Sequence, residues 1–285
     1  MLPINQNLGS LNSLRNLNKT NSAMQLQLAR LSSGLRVTRA ADDPAGLVIS
    51  EQLRAQAAGI GQALENTQSA YNVTGIAEAA LDETSNLLAR ARELAIASAN
   101  TGVQTAGMVE ANQQELDNIL AAIDRTAETT EFDDQKLLDG TADLQFQVGP
   151  GTDAGDRVGI TIPDMGTANL GSTSGDSLDT LRSGGANDLA TNPTRAIEVI
   201  DAAIGEVTDT RGSIGAFQKN TLETNLNSMR VAFENVTATE SSIRDLNFAE
   251  GASAFVNLQT LARAGLGALG ASNVQSQSVL RLLGG

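Results

Sequence analysis

Apolar residues recur along this chain at three-four spacing in long runs, and the runs at the two ends mirror each other. Leu14, Leu17, Asn21, Met24, Leu28, Leu31 and Leu35 line one narrow face and predict a helix with a coiled-coil seam. At the other end Phe248, Ala252, Phe255, Gln259, Ala262, Leu266, Leu269, Asn273, Ser276, Leu280 and Leu283 keep the same spacing. A lone stripe of this kind is more often an amphipathic helix on a globular core. Two matching terminal stripes point to helices that order fully only beside neighbours, because neither flank is long enough to be firmly stable alone. The polar Asn21 within the first seam either fixes register or faces solvent, and both readings stand.

Between the seams the pattern predicts three longer helices. Gly34 ends the first helix, being free to take the left-handed conformation, and Asp42 or Asp43 caps the next, with Pro44 at its first position. The helix from Pro44 to about Asn100 has Leu53, Ala57, Ile60, Leu64, Thr67 and Tyr71 on one seam, and at 1.5 Å per residue runs on the order of 80 Å, suiting a rod. Another helix is expected from about Thr105 to Glu128, and a returning one from about Pro193 to Thr239. Residues 144–162 change to period-two alternation around Gly-Pro-Gly and predict a small hairpin region, while residues 164–192 are rich in Gly, Ser, Thr, Asn and Asp and read as a loop-like, solvent-facing tip. The expected fold class is mainly α: a long antiparallel helical rod or coiled coil with small β-hairpins in mid-chain.

Composition narrows the chemistry. Of 285 residues only 2% are aromatic, with no Trp and one Tyr, which favours long helices packed through Leu, Ile, Val and Ala over a ring-rich core or ligand pocket. The formal net charge is −14, and the three lysines, Lys19, Lys136 and Lys219, are scattered, so no cation cluster suits a nucleic-acid backbone. Cys and His are both absent, removing thiol nucleophiles, disulfides, the usual zinc ligands and the commonest general acid–base side chain. The first residues lack a basic start followed by an apolar run, and no run of about eighteen apolar residues occurs, so neither a Sec-type leader nor a membrane span is expected. No cofactor is implied. The glycine pattern GLGALG, residues 265–270, sits inside a helical seam without a preceding strand or a following acidic residue, which leaves a nucleotide-binding enzyme as a remote alternative. The segment GPGTDAGD lacks the ligand spacing of a calcium loop and the Lys-Ser/Thr of a phosphate loop, and reads as a turn.

The stretch LSSGLRVTRAADDPAGLVISEQLRAQ, residues 31–56, resembles the N-terminal signature of bacterial flagellin. LARARELAIASAN, QQEL with IDR, GAFQKNTLE, ENVTATESSIRD and the terminal QSQSVLRLL resemble further runs of that family. One departure is visible: Asp133 and Asp134 follow Phe132 where many members have Asn-Gly. The resemblance implies a self-assembling filament subunit divided into residues 1–42, an inner-tube helix and spoke; 43–176, the outgoing rod with hairpins; 177–192, a short variable surface tip; 193–242, the returning rod; and 243–285, the second inner-tube helix, with a second spoke at residues 241–245.

It further implies that Leu14, Leu17, Met24, Leu28, Leu31, Leu35, Phe248, Phe255, Leu266, Leu269, Leu280 and Leu283 form an assembly seam, and that Arg90, Leu94 and Glu115 face an animal Toll-like receptor. Ser172, Thr173, Ser174 and Ser177 at the tip are candidate sugar acceptors. The implied partners are further copies of the chain, an export chaperone, the filament cap and the hook–filament junction proteins. The implied location is extracellular, reached by flagellar type III export without a cleaved leader. A junction protein of the same superfamily is the neighbouring alternative, and the continuous match through LARARELAIASAN and SSIRDLNFAE favours flagellin over it.

Overall fold

The computed structural model describes the backbone of residues 7–283 and the side chains of residues 7–274. The chain forms α1 (Leu8–Ser33), α2 (Pro44–Ala99), α3 (Ala106–Thr129), the hairpins β1 (Glu131–Phe132) with β2 (Gln135–Lys136) and β3 (Asp143–Gln147) with β4 (Arg157–Thr161), then α4 (Pro193–Ala216), α5 (Thr224–Arg244) and α6 (Phe248–Leu283). It divides into two compact units, residues 1–57 with 234–285 and residues 58–233. The mainly α class with two small antiparallel hairpins is as expected.

In the terminal unit, α1 starts where the Asn7 carboxamide oxygen accepts the Ser10 N–H at 3.0 Å. It ends where Gly34, at φ 73°, returns its own N–H to the Arg30 carbonyl. Both candidate aspartates are used, for different jobs. The Asp43 carboxylate accepts the Gly46 N–H at 2.9 Å and so caps α2. Asp42 holds the connecting turn, its Oδ2 accepting the Thr38 N–H at 3.1 Å, the Thr38 hydroxyl at 2.8 Å and the Arg39 N–H at 3.1 Å, with Arg30 3.6 Å away. The Thr38 hydroxyl first, and these N–H groups and Arg30 with it, hold the Asp42 carboxyl below its ordinary range. The turn is stitched to the far end of the sequence: Leu35 bridges Asp245, the Arg36 N–H donates to the Arg244 carbonyl at 2.7 Å, and the Leu246 N–H to the Gly34 carbonyl at 2.8 Å. The expected second spoke is thereby shortened, because residues 241–244 remain the last turn of α5 and only residues 245–247 leave the helix.

The middle unit has the dense core. From Ile60 through Ala63, Thr67, Ala70, Val73, Thr74, Ala77, Leu81, Thr84, Leu88, Ala91 and Ala95, α2 buries a residue every three or four positions. The buried threonines satisfy themselves: Thr67, Thr74 and Thr84 donate their hydroxyls to the carbonyls of Ala63, Ala70 and Ala80. Tyr71, expected on this seam, is 42% exposed, and the fully buried Ala70 takes the inward position, since the face drifts as the core becomes a junction of several elements. Against α2 lie Leu116, Ile119, Leu120 and Ile123 of α3 and Val199, Ile200, Ala203, Val207 and Ile214 of α4.

Two further expectations are corrected here. Residues 164–192 carry no strand or α-helix, as expected, yet they are not a solvent-facing tip: Leu170, Leu178, Leu181 and Leu189 are buried in the same core. Polar side chains of α3 fasten the loop. Gln113 donates to the Leu181 carbonyl and accepts the Leu189 N–H, each at 2.8 Å, and Asp124 accepts the Thr167 N–H and hydroxyl at 2.8 Å and pairs with Arg182. The returning helix is also not uniform. Phe217–Glu223 widens to a π-helical stretch between α4 and α5, which seats Leu222 against Ala70 and Val148 and brings the Phe217 ring to 6.5 Å from that of Phe146 on β3.

Candidate assembly surfaces

α1 packs against α6, and this pairing gathers part of the expected seam. Leu17 is buried, and Met24, Leu31, Leu35, Phe255 and Leu269 are half-buried. Leu14, Leu28, Phe248 and Leu266 are exposed. The side chains of Leu280 and Leu283 lie outside the described residues. The inward line of α6 is turned slightly from the expected one. Gly251, Leu258 and Gly265 face inward where Gln259 and Leu266 stand outside, because glycine lets the helix axes approach more closely than leucine does. A Cβ at Gly265 would come within 3.4 Å of Leu17 Cδ1, and one at Gly251 within 3.2 Å of Leu31 Cδ2.

Three things escaped the sequence pattern. Leu8 and Leu11 of α1, and Val256, Leu261 and Val274 of α6, extend the exposed apolar surface of the pair. Leu8 and Leu11 continue the three-residue step upstream of Leu14, so the signal was present. The polar contacts between the helices run through Gln27, whose amide donates to the Gly251 carbonyl at 3.0 Å, and Asn7, whose amide donates to the Ser272 carbonyl at 3.1 Å, rather than through Asn21. Nothing in the spacing distinguishes Gln27, which sits between seam positions.

On the middle unit the receptor-facing candidates separate. Arg90 Nε and Nη2 donate to Glu115 Oε1 at 3.0 and 2.9 Å, and Nη1 to Glu93 at 2.9 Å, joining α2 to α3 on an exposed face. The bonds to Glu93 and then Glu115 raise the Arg90 pKa further. Leu94 is only 5% exposed and lies in the core beneath this face. Beside it, Arg92 Nε reaches Asp201 of α4 at 2.6 Å. The face is a set of paired charges, suited to charge recognition.

The glycine pattern at 265–270 lies inside α6, with no strand before it, and Gly265 serves helix packing. In the loop 148–156 the Asp156 carboxylate accepts the Asp153 N–H, and a Cβ at Gly149 or Gly151 would collide with it, so the glycines make room for a turn. Among the described residues no group of three or more acidic side chains is arranged to hold a metal ion, and no helix is long and apolar enough to cross a membrane.

Comparison with known proteins identifies a family for the chain. The family model for the bacterial flagellin N-terminal helical region matches residues 4–143, and that for the C-terminal helical region matches residues 197–283. The flagellin of Bacillus subtilis (strain 168) is 38% identical across 98% of this chain and 99% of its own length. Flagellin FlaB2 of Treponema pallidum (strain Nichols) is 34% identical with the same coverage. The crystal structure of Bacillus cereus flagellin aligns with a TM-score of 0.46 at 30% identity, covering 58% of this chain and 88% of that one.

Proposed function

The chain belongs to the bacterial flagellin family and is a structural subunit of the flagellar filament, and from that premise we propose how its two units divide the work. The terminal unit, with α1 and α6, forms the inner tube, and the middle unit forms the surrounding wall. The observation that carries this reading is the α1–α6 pair, which buries little and leaves Leu14, Leu28, Phe248 and Leu266 in water. Burial of that apolar surface against neighbouring copies offsets the entropy of ordering two long flanks. Contacts made head to tail do not close on themselves, so they generate a filament.

The remaining partners follow from the same premise: an export chaperone, the filament cap and the hook–filament junction proteins, met on a type III route that needs no cleaved leader. Catalysis has no part in this reading. Recognition by a Toll-like receptor falls to Arg90 and Glu115, with Leu94 supporting α2 from beneath. Electron microscopy under seeded polymerising conditions tests the central reading. The full chain is expected to form filaments and a version lacking residues 1–42 and 243–285 to form none; filaments from both would remove the terminal unit from assembly.

A further inference from the structure

Gln27 is polar, lies on the apolar side of α1 and is only 9% exposed. Its amide donates to the carbonyl of Gly251, in the first turn of α6, at 3.0 Å. That approach depends on the absence of a side chain: a Cβ at 251 would lie 3.1 Å from Gln27 Nε2, 3.2 Å from Leu31 Cδ2 and 2.9 Å from Leu246 Cδ2. Sliding α6 by one turn would set Phe255, or Asn247 before the helix begins, against the amide in place of the glycine. In the slip that brings up Phe255, the buried donor would face an aromatic ring and lose its partner.

We propose that Gln27 is a positioning residue for assembly, whose bond to the Gly251 carbonyl selects one register of α1 on α6. The proposal rests on the filament reading and adds to it a reason for the order of the exposed residues. A buried amide costs stability in most registers and is satisfied in one, which is how a single polar group specifies alignment in a helical pair. Two independent contacts agree with the same register. Leu17 lies against Gly265, and at the far end the Asn7 amide donates to the Ser272 carbonyl at 3.1 Å while the Ser272 hydroxyl donates to Asn7 Oδ1 at 3.2 Å. In this register the exposed Leu14 and Leu266 fall within about a turn of each other along the pair, so both helices offer exposed leucine at one level. A slip of a turn would offset the two leucines along the axis and change the apolar surface a neighbouring copy meets.

The absence of cysteine from the chain makes register directly readable. A Cβ at Gly265 would stand 3.9 Å from Leu17 Cβ, the spacing of a disulfide, so Leu17→Cys with Gly265→Cys reports this register and Leu17→Cys with Leu269→Cys reports a slip of one turn. Each pair is placed in chains with Gln27 or with Gln27→Met, which keeps the volume and removes the donor. The chains are polymerised as a minor component with cysteine-free chain, so that a variant unable to assemble alone is still incorporated, and oxidised in the filament. With Gln27 present the first pair is expected to cross-link about tenfold more than the second, and with Gln27→Met the preference should fall to about twofold or less, as expected for the worth of one buried hydrogen bond. Gly251→Ala should have the same effect by blocking the approach. Retention of the tenfold preference in the Gln27→Met chain overturns the proposal, as does equal cross-linking of both pairs when Gln27 is present. Failure of the cysteine-free chain to form any filament instead rejects the filament reading on which the proposal stands.

Discussion

Between residues 58 and 233 the chain buries Leu81, Leu88, Leu116, Leu120, Ile123, Leu138, Ile162, Leu181, Val199 and Ile214 in one continuous core, whereas among the described residues of the terminal unit Leu17 and Val37 are the buried hydrophobic ones. Charge divides along the same line. Residues 58–233 hold 26 acidic and 10 basic side chains, a net −16, while the terminal residues hold 7 acidic and 9 basic, a net +2. A unit with a full core folds by itself and tolerates a repulsive surface, which keeps it soluble. A unit with a thin core and almost no net charge leaves apolar surface exposed and offers little repulsion to an approaching copy. On the proposed reading, assembly and folding fall to different residues of one chain.

The largest expected contrast follows at once. Leu120→Ala, in the core of the middle unit, should cost about 2–5 kcal/mol and lower the urea midpoint of the purified chain, with the loss set by how far the cavity collapses. Leu266→Ala, on exposed surface, should move that midpoint by no more than about 0.5 kcal/mol while reducing seeded polymerisation. Equal shifts in urea from both substitutions would erase the distinction between the units.

Next in size is Gln113→Ala. It removes both the acceptor for the Leu189 N–H and the donor to the Leu181 carbonyl, leaving two buried backbone groups unpaired, and should cost about 1–3 kcal/mol. Amide exchange should quicken across residues 178–189, because this side chain is what turns a polar loop into part of the core. A loss spread evenly over the unit would show that the loop is held by its leucines instead.

Those residues also mark where the sequence was legible. Helix existence, the Gly34 stop, a cap from Asp42 or Asp43 and the hairpin within residues 144–162 follow from local chemistry that needs no partner, and all four are in place, Asp43 being the capping residue. The packed loop was missed because glycine, serine and aspartate dominate its composition, while the leucines that matter are spaced to fit α3 and α4 and show no period of their own. The π-helical stretch was missed for a related reason: Leu222 within it packs on Ala70 and Val148, residues far away in sequence. At the surfaces, periodicity located the helical stripe, while the glycines of α6 decide which of its residues face α1 within the pair.

The β1–β2 turn offers a gain rather than a loss. Asp133 and Asp134 adopt φ of 49° and 63°, so both central residues occupy the left-handed region that a two-residue hairpin turn requires and that Asn-Gly accepts more readily. Asp133→Asn with Asp134→Gly should therefore stabilise the middle unit by about 1 kcal/mol, visible as a higher urea midpoint with unchanged slope. A fall in stability would show that the aspartates serve contacts beyond the turn.

Acid should reach the terminal unit through its connecting turn. Asp42 titrates below the ordinary carboxylate range because the folded turn donates to it, so the stabilisation is complete above that range and is lost as pH falls through the lowered value. Filaments of an Asp42→Asn chain should lose the part of their acid dissociation that this carboxylate supplies, giving a shallower pH profile in turbidity; an unchanged profile would assign acid sensitivity to other groups.

The smallest effect probes the charge contrast itself. Arg211 of α4 sits between Glu78 and Asp82 of α2, at 2.9 and 2.8 Å, and all three side chains are partly open to solvent. Arg211→Met keeps much of the stem and removes the cation, leaving two carboxylates a helical turn apart on a unit that already carries net −16. The cost should be about 0.5–1 kcal/mol at low salt and should shrink as salt screens the uncovered pair, because exposed ion pairs act through a field that a Debye length of about 8 Å at physiological ionic strength already attenuates. Urea midpoints measured at low and high salt separate the contributions. A loss that persists at high salt belongs to the packing of the guanidinium and stem across α2 and α4, and would mean that the acidic surface of the middle unit is tolerated for reasons other than its pairing with the few arginines present.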